Sequence, residues 1–336
     1  MSYCVSQVAV ASVVIMPIYR STRARLAVVG LAFLGLAAAG CSSSSSSSSS
    51  SAAPASSSPA ATAASSAASS AAAAPTGSGA VNVLYAGSLV NLMTKQIGPA
   101  FQTASGYSVT GESAGSTALV TDIKGKVYKG DVFISASPKA TATLMGSGNG
   151  DWVTYYVSFA SSNVVLGYNA SSKFASVIKS EPWYKAITTP GLKLGFTDPA
   201  TDPKGKLVAE ALTDTAKSQN LPALTAIEND KADVFPEETL VARLQSGQLD
   251  AAFFYTAEAV PAKIPTVPLT GTTDLKATYT VSTLKGAPNE AGAEAFVAYL
   301  LGPDSQAVLK ADGFDLITPP KVTGTGVPAP VQSAVG

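Results

Sequence analysis

The sequence predicts an α/β fold of two lobes around a cleft, and three observations predict it. Apolar strand-like and amphipathic helix-like segments alternate from residue 81 onward. Strand-to-helix turns rich in Gly, Ser and Pro recur along that stretch. The stretch is also long enough for two cores rather than one. Composition bounds the function. The 22 basic residues balance the 22 acidic ones, so no charge excess points to nucleic acid. Histidine is absent, which removes Ser/His and Cys/His catalysis and every His-based metal site.

The N-terminus reads as a targeting segment rather than as fold. Arg20, Arg23 and Arg25 precede an apolar run, Leu26 to Ala39. At about fourteen residues this run is short of the ~20 that span a bilayer. It closes on Ala38-Ala39-Gly40-Cys41, which resembles the lipobox of bacterial lipoproteins. That resemblance implies cleavage before Cys41 and lipidation of Cys41. Residues 41–80, opening with the serine run Ser42 to Ser51, cannot bury enough apolar surface to fold and read as a tether. Cys4 is the only other cysteine, so no disulfide is expected once the signal is removed.

The folded part then runs as follows. Val81 to Ala86 is a buried strand, and Gly87-Ser88 opens a helix with Leu89, Leu92, Met93, Ile97 and Phe101 on one face. Tyr107 to Thr110 is a strand, and Ala114-Gly115-Ser116 opens a second helix. Asp131 to Ser135 is a third strand. Asn163 to Tyr168 is a strand that crosses into the second lobe. Lys193 to Thr197 is a strand whose exit turn, Asp198 to Gly205, leads into a helix. Pro236 and Glu237 start a helix that Gly247 ends. Asp250 to Tyr255 is a strand, and Thr278 to Leu284 returns to the first lobe. The expected boundaries are a signal segment at 1–40, a tether at 41–80, lobe 1 at 81–162 plus 278–336, and lobe 2 at 163–277.

The turns carry the chemistry. Helix N-termini present unpaired N–H groups and partial positive charge, which suit anions. Four such starts occur: Gly87-Ser88, Gly115-Ser116, Pro203-Lys204-Gly205 and Pro236-Glu237. Each serine by itself reads equally as a plain helix cap. Tyr255, at a strand end, reads by itself as a packing residue. Tyr155-Tyr156 has the look of a ferric-iron pair, but its place before the crossover strand favours core packing.

Val83 to Leu89, Ala114-Gly115-Ser116, Gly130 to Ala136, Asp202-Pro203-Lys204-Gly205 and Ser246 to Tyr255 resemble, in order, segments of the molybdate/tungstate-binding proteins of ABC transporters. The likeness covers roughly 81–318. It implies the two-lobed type II periplasmic-binding-protein fold, with a hinge and a central cleft. It implies molybdate or tungstate as ligand, no cofactor, no catalysis, an ABC permease as partner, and a monomer anchored to the outer face of the cell membrane. Site by site, it implies hydroxyl and backbone donors at Gly87, Ser88 and Ser116, and contacts from Asp202, Pro203 and Lys204. It further implies a backbone N–H at Glu237, whose side chain matters little, and a phenolic donor at Tyr255. In the tungstate-binding subgroup a glutamate accompanies the aspartate as metal ligand, and Phe254 occupies the position matched to it here. The expected ligand is therefore tetrahedral, with Asp202 the one possible metal ligand. Asp202 is otherwise left to cap its helix or to pair with Lys204 or Lys206. The competing ligands are sulfate, phosphate and ferric iron. The competing class is a surface-anchored hydrolase built on Asp198, Asp202, Glu237 and Glu238.

Overall fold

The computed structural model describes residues 76–272 and 275–336. The apolar N-terminal run, Cys41 and the serine tract lie outside the described residues. Among the described residues no helix is long and apolar enough to cross a membrane.

Among the described residues nine strands form two sheets that share one long strand. In chain order they are β1 (Ala80–Ala86), β2 (Ser108–Ala114), β3 (Val132–Ser135), β4 (Tyr155–Tyr168), β5 (Leu194–Gly195), β6 (Ala251–Tyr255), β7 (Thr266–Pro268), β8 (Lys276–Thr283) and β9 (Asp315–Gly324). The first sheet runs β2-β1-β3-β8-β4, with β9 on the other edge of β4. Its β1, β2 and β3 are mutually parallel, and β8 turns antiparallel against β3. The second sheet pairs the far end of β4 with β6 and β7, and β5 joins β6 in parallel. One continuous strand, not a short one beginning at Asn163, thus links the two sheets. β8 runs beside it through the crossover, pairing Lys276 with Asn163 and Thr278 with Ser161.

Alternation along the strands sorts the core. In β6, Phe253 and Tyr255 face the main core while Ala252 and Phe254 face a separate cluster with Leu240, Leu244 and Leu249. On the first sheet, Leu84 and Phe133 meet Leu119, Val120 and Ile123, the inward side of the helix after β2. Tyr155 and Tyr156 are buried within β4.

Five helices matter for the site. After β1 the chain makes a tight turn, Gly87–Leu89, one α turn and a π segment, Met93–Ile97, before α1 (Gly98–Ser105). The others are α2 (Ser116–Lys124), α3 (Pro203–Ser218), α4 (Glu237–Gln245) and the short α5 (Thr256–Ala259). The turns before α2, α3 and α4, the turn at Gly87 and the exit of β6 converge.

Candidate solute-binding site

The two lobes meet at their turns. The Thr201 carbonyl, ahead of α3, accepts from the Thr117 and Ala118 amides of α2, each at 3.2 Å. Glycine at 115 permits this approach, because a Cβ there would lie 2.4 Å from the Thr201 oxygen. Gly87 plays the same part beside Glu237, where an added Cβ would stand 3.1 Å from the glutamate's Cβ. The cleft is shut, and the polar groups inside it are buried.

The first lobe contributes neutral groups. Ser88 Oγ and the Tyr279 hydroxyl are hydrogen-bonded at 3.0 Å. Tyr279 packs edge-on to Tyr255, ring centroids 6.1 Å apart. Ser116 is fully buried, and its Oγ accepts from the Ala136 amide at 2.9 Å. Its own hydrogen remains to donate. Of the first amides of α2, those of Thr117 and Ala118 already serve Thr201.

The second lobe contributes charge. Asp202 caps α3: its Oδ1 accepts from the Lys204 amide at 2.9 Å, the Gly205 amide at 3.2 Å and the Thr197 hydroxyl at 2.7 Å. Of the two expectations for Asp202, capping holds, while among the described residues it forms an ion pair with neither Lys204 nor Lys206. Pro203 follows at the first helical position and has no N–H to offer. Lys204 does not reach solvent: its side chain is 0% exposed. Its ammonium lies 2.9 Å and 3.1 Å from the two Glu258 oxygens and 3.0 Å from Glu237 Oε1. The Glu237 contact is an ion pair without hydrogen-bond alignment. Glu258 also accepts the Tyr255 amide at 2.7 Å, tying α5 to the end of β6.

Two expectations about Glu237 are overturned. Its side chain is not incidental, being 2% exposed and turned into the cluster. Nor does Asp202 lack a carboxylate neighbour, since its charge acts on the Glu237 carboxyl within the buried cluster. Phe254 could not have filled that role, because strand alternation commits it to the core under α4. Glu237 and Tyr255 lie 18 positions apart, and only the return of β6 beside α4 brings them together. Glu258 and Tyr279 were not anticipated at all. Glu258 had a faint signal, three residues after a helix-preceding Tyr, where an acid satisfies a free amide. Tyr279 had none, because an inward tyrosine in a crossing strand reads as core.

Protonation follows from burial and crowding. Burial, then the neighbouring Asp202 charge, pushes the Glu237 carboxyl well above its ordinary range, with Lys204 opposing. Burial likewise raises Glu258, again against Lys204. Burial alone would depress the Lys204 ammonium, but Glu237, Glu258 and Asp202 together raise it. Burial pushes the Tyr255 and Tyr279 hydroxyls well up, so both stay protonated donors. Among the described residues three buried oxygens in this one place have no hydrogen-bond partner: Asp202 Oδ2, the Tyr255 hydroxyl and Glu237 Oε1, the last in ion-pair contact with Lys204. Two cavities adjoin the cluster. One of about 400 Å³ is bounded by Gly87, Ser88, Glu237 and Glu258. The other, about 580 Å³, is bounded by Ala136, Ser137, Asp202 and Thr278.

A shut cleft between two α/β lobes, with a buried polar centre and two strands crossing between the sheets, is the architecture of a solute-binding protein. Residues 81–315 match the family of bacterial extracellular solute-binding proteins, and the chain belongs to it. It is a binding protein and not an enzyme. A relative from Petrotoga mobilis, an uncharacterized solute-binding protein, is 28% identical over 73% of this chain and 86% of its own. The molybdate/tungstate-binding protein WtpA of Thermococcus kodakarensis is 24% identical over 67% of this chain and 77% of its own. Among solved structures, the periplasmic molybdate-binding protein of Azotobacter vinelandii superposes with a TM-score of 0.56. It covers 70% of this chain and 99% of its own at 22% identity, a likeness of fold.

Proposed function

We propose that this chain is the substrate-binding component of an ABC importer for molybdate or tungstate, exported and anchored to the outer face of the membrane through Cys41. The observation that carries the ligand assignment is the set of buried oxygens that have no hydrogen-bond partner among the described residues. Tyr255 presents a hydrogen to an oxyanion oxygen. Asp202 and Glu237 present lone pairs, which an oxyanion oxygen repels. Sulfur in sulfate and phosphorus in phosphate do not take added oxygen ligands at a binding site. A hexavalent molybdenum or tungsten centre does. The same carboxylates that would repel sulfate can therefore act as ligands to the metal of the cargo, while Tyr255, Ser88 and Ser116 donate to its oxo groups. The tetrahedral expectation rested on a missing carboxylate, and Glu237 supplies one. The names of the Thermococcus and Azotobacter relatives point the same way.

The test is thermal stabilisation of the purified protein. At a thousandfold excess over Kd, ligand binding adds about 4 kcal/mol. Molybdate or tungstate is expected to raise the melting temperature by several degrees, and sulfate or phosphate at equal concentration by much less. Equal stabilisation by sulfate sinks the metal-oxyanion reading. Metal K-edge absorption on the complex then reads the coordination. Two longer metal–oxygen bonds beyond four short ones are expected if Asp202 and Glu237 ligate. The anchor has its own test: Cys41→Ser should move the protein from the membrane to the soluble fraction.

A further inference from the structure

Lys204 is out of character for an anion site's neighbourhood as the sequence presents it. A lysine in the first turn of a helix normally reaches solvent, snorkelling on its long stem. Here it is fully buried, with its ammonium among Glu237, Glu258 and the Asp202 cap. It also lies 5.4 Å from the Tyr255 ring centroid. Remove that ammonium and three buried acids, Asp202, Glu237 and Glu258, lose their shared counter-charge. That is the chemistry of a site for protons or for a hard divalent cation, which takes carboxylate oxygens. With the ammonium in place, a cation meets a like charge at the oxygens it would need. Among the described residues no group of acidic side chains is arranged to hold a metal ion.

We propose that Lys204 determines the sign of the ligand this site accepts: its ammonium, paired with Glu258, makes a carboxylate-lined cleft receptive to a dianion and closed to divalent cations. The proposal rests on the oxyanion reading and deepens it. Glu258 tunes the device. It holds the ammonium by two contacts and cancels part of its charge. The two partners therefore act on ligand affinity in opposite directions. A pair that only staples α3 to α5 would act in one direction, since losing either partner strands the other as a buried, unpaired charge.

The experiment measures molybdate affinity by calorimetry for the full-length wild type, Lys204→Met and Glu258→Gln, with Mn²⁺ as the cation probe. Lys204→Met should bind molybdate at least tenfold more weakly. Glu258→Gln, which retains an oxygen to accept the Tyr255 amide, should bind it severalfold more tightly. Mn²⁺ should leave the wild-type melting temperature unchanged. If Lys204→Met does not fold, Glu258→Gln alone decides. Weakened or unchanged binding in Glu258→Gln overturns the proposal and leaves a structural pair. A wild type stabilised by Mn²⁺ and by no oxyanion also overturns it. Should the wild type respond to sulfate but not molybdate, the molybdate reading falls, and the same ordering of variants measured with sulfate still tests Lys204.

Discussion

The two halves of the site are built from different materials. The first lobe offers neutral groups: Gly87, Ser88 and Ser116 on turns that follow parallel strands, and Tyr279 within the crossing strand β8. The second offers Asp202, Lys204, Glu237 and Glu258, all ionisable and all buried. Neutral donors cost little to bury once hydrogen-bonded, and their places in the fold are fixed by local chain geometry. Charged groups cost roughly several kcal/mol each to bury and survive only in mutual company. A lobe of each kind gives a cleft in which one wall can approach any oxyanion, while the other discriminates among them. The sharpest ways to break this division begin with the seam between the walls.

Closure depends on the absence of a side chain at 115. The backbone there, φ −56° and ψ 137°, is open to any residue, so space across the cleft is the only obstacle. Gly115→Ala puts a methyl 2.4 Å from the Thr201 carbonyl oxygen and forces the lobes apart. Affinity should fall on the order of 100-fold, because the binding-competent closed form becomes rare. Scattering should report a larger radius of gyration in the presence of ligand than for the wild type. Gly148→Ala, at a glycine with open space around it, is the matched control and should change neither. Wild-type affinity in Gly115→Ala would show that the lobe contact is incidental to binding.

The charged wall is tested next. Glu237→Gln keeps the size and the helix start but removes an ionisable ligand. A charge-assisted contact is worth about 1.5–3 kcal/mol, so molybdate binding should weaken roughly 10- to 100-fold. Sulfate, which gains nothing from a carboxylate, should bind equally well or better. If the variant loses both anions in parallel, Glu237 shapes the wall without selecting the ligand.

Much of this division was legible in the sequence on one side and not on the other, for a physical reason. Gly-Ser after an apolar strand is a local pattern, so Ser88 and Ser116 could be singled out from their neighbours alone. The core followed the same logic: Leu119, Val120 and Ile123 face inward as their spacing requires. The charged wall is assembled over long separations. Lys204 meets Glu258 across 54 positions. A lysine in a helix's first turn and a glutamate in a short helix each read as solvent-facing. Burial of a charge is a property of its partners, and periodicity carries no record of partners that distant. The likeness to known binding proteins pointed to Asp202 and Tyr255, which the fold buries in one cluster, and it matched a glutamate to Phe254, whereas the carboxylate that neighbours Asp202 is Glu237 of α4. Two strands escaped for simpler reasons. β7 is three residues long, and β9 is largely exposed and carries Pro319 and Pro320, both contrary to a strand signature.

On the neutral wall the expected effects are smaller. Ser88→Ala removes one hydroxyl and leaves Tyr279 without its 3.0 Å partner. Binding should weaken about tenfold, the scale of one such hydrogen bond, for molybdate and sulfate alike. A variant that loses molybdate selectively would move discrimination into the first lobe and dissolve the division.

The smallest expected effect is on stability without ligand, and its sign follows from the crowded acids. Glu237 titrates well above its ordinary range in the folded protein, first because it is buried and next because Asp202 faces it. Between the ordinary carboxyl range and that raised value, the folded state holds a proton that the unfolded chain has released. Stability therefore falls as pH rises through this window and is regained on acidification down to the ordinary range. Glu258, raised chiefly by burial, acts with the same sign. The ligand-free protein should thus melt higher at mildly acidic pH than at neutral pH, against the usual loss when paired carboxylates are protonated. Glu237→Gln should flatten the profile, since an amide neither gains nor loses the proton. Ser88→Ala should leave its slope unchanged, because the serine belongs to the wall without titrating groups. A wild-type profile that declines steadily below neutrality would mean that Glu237 and Glu258 are both ionised in the shut cleft, each held by Lys204.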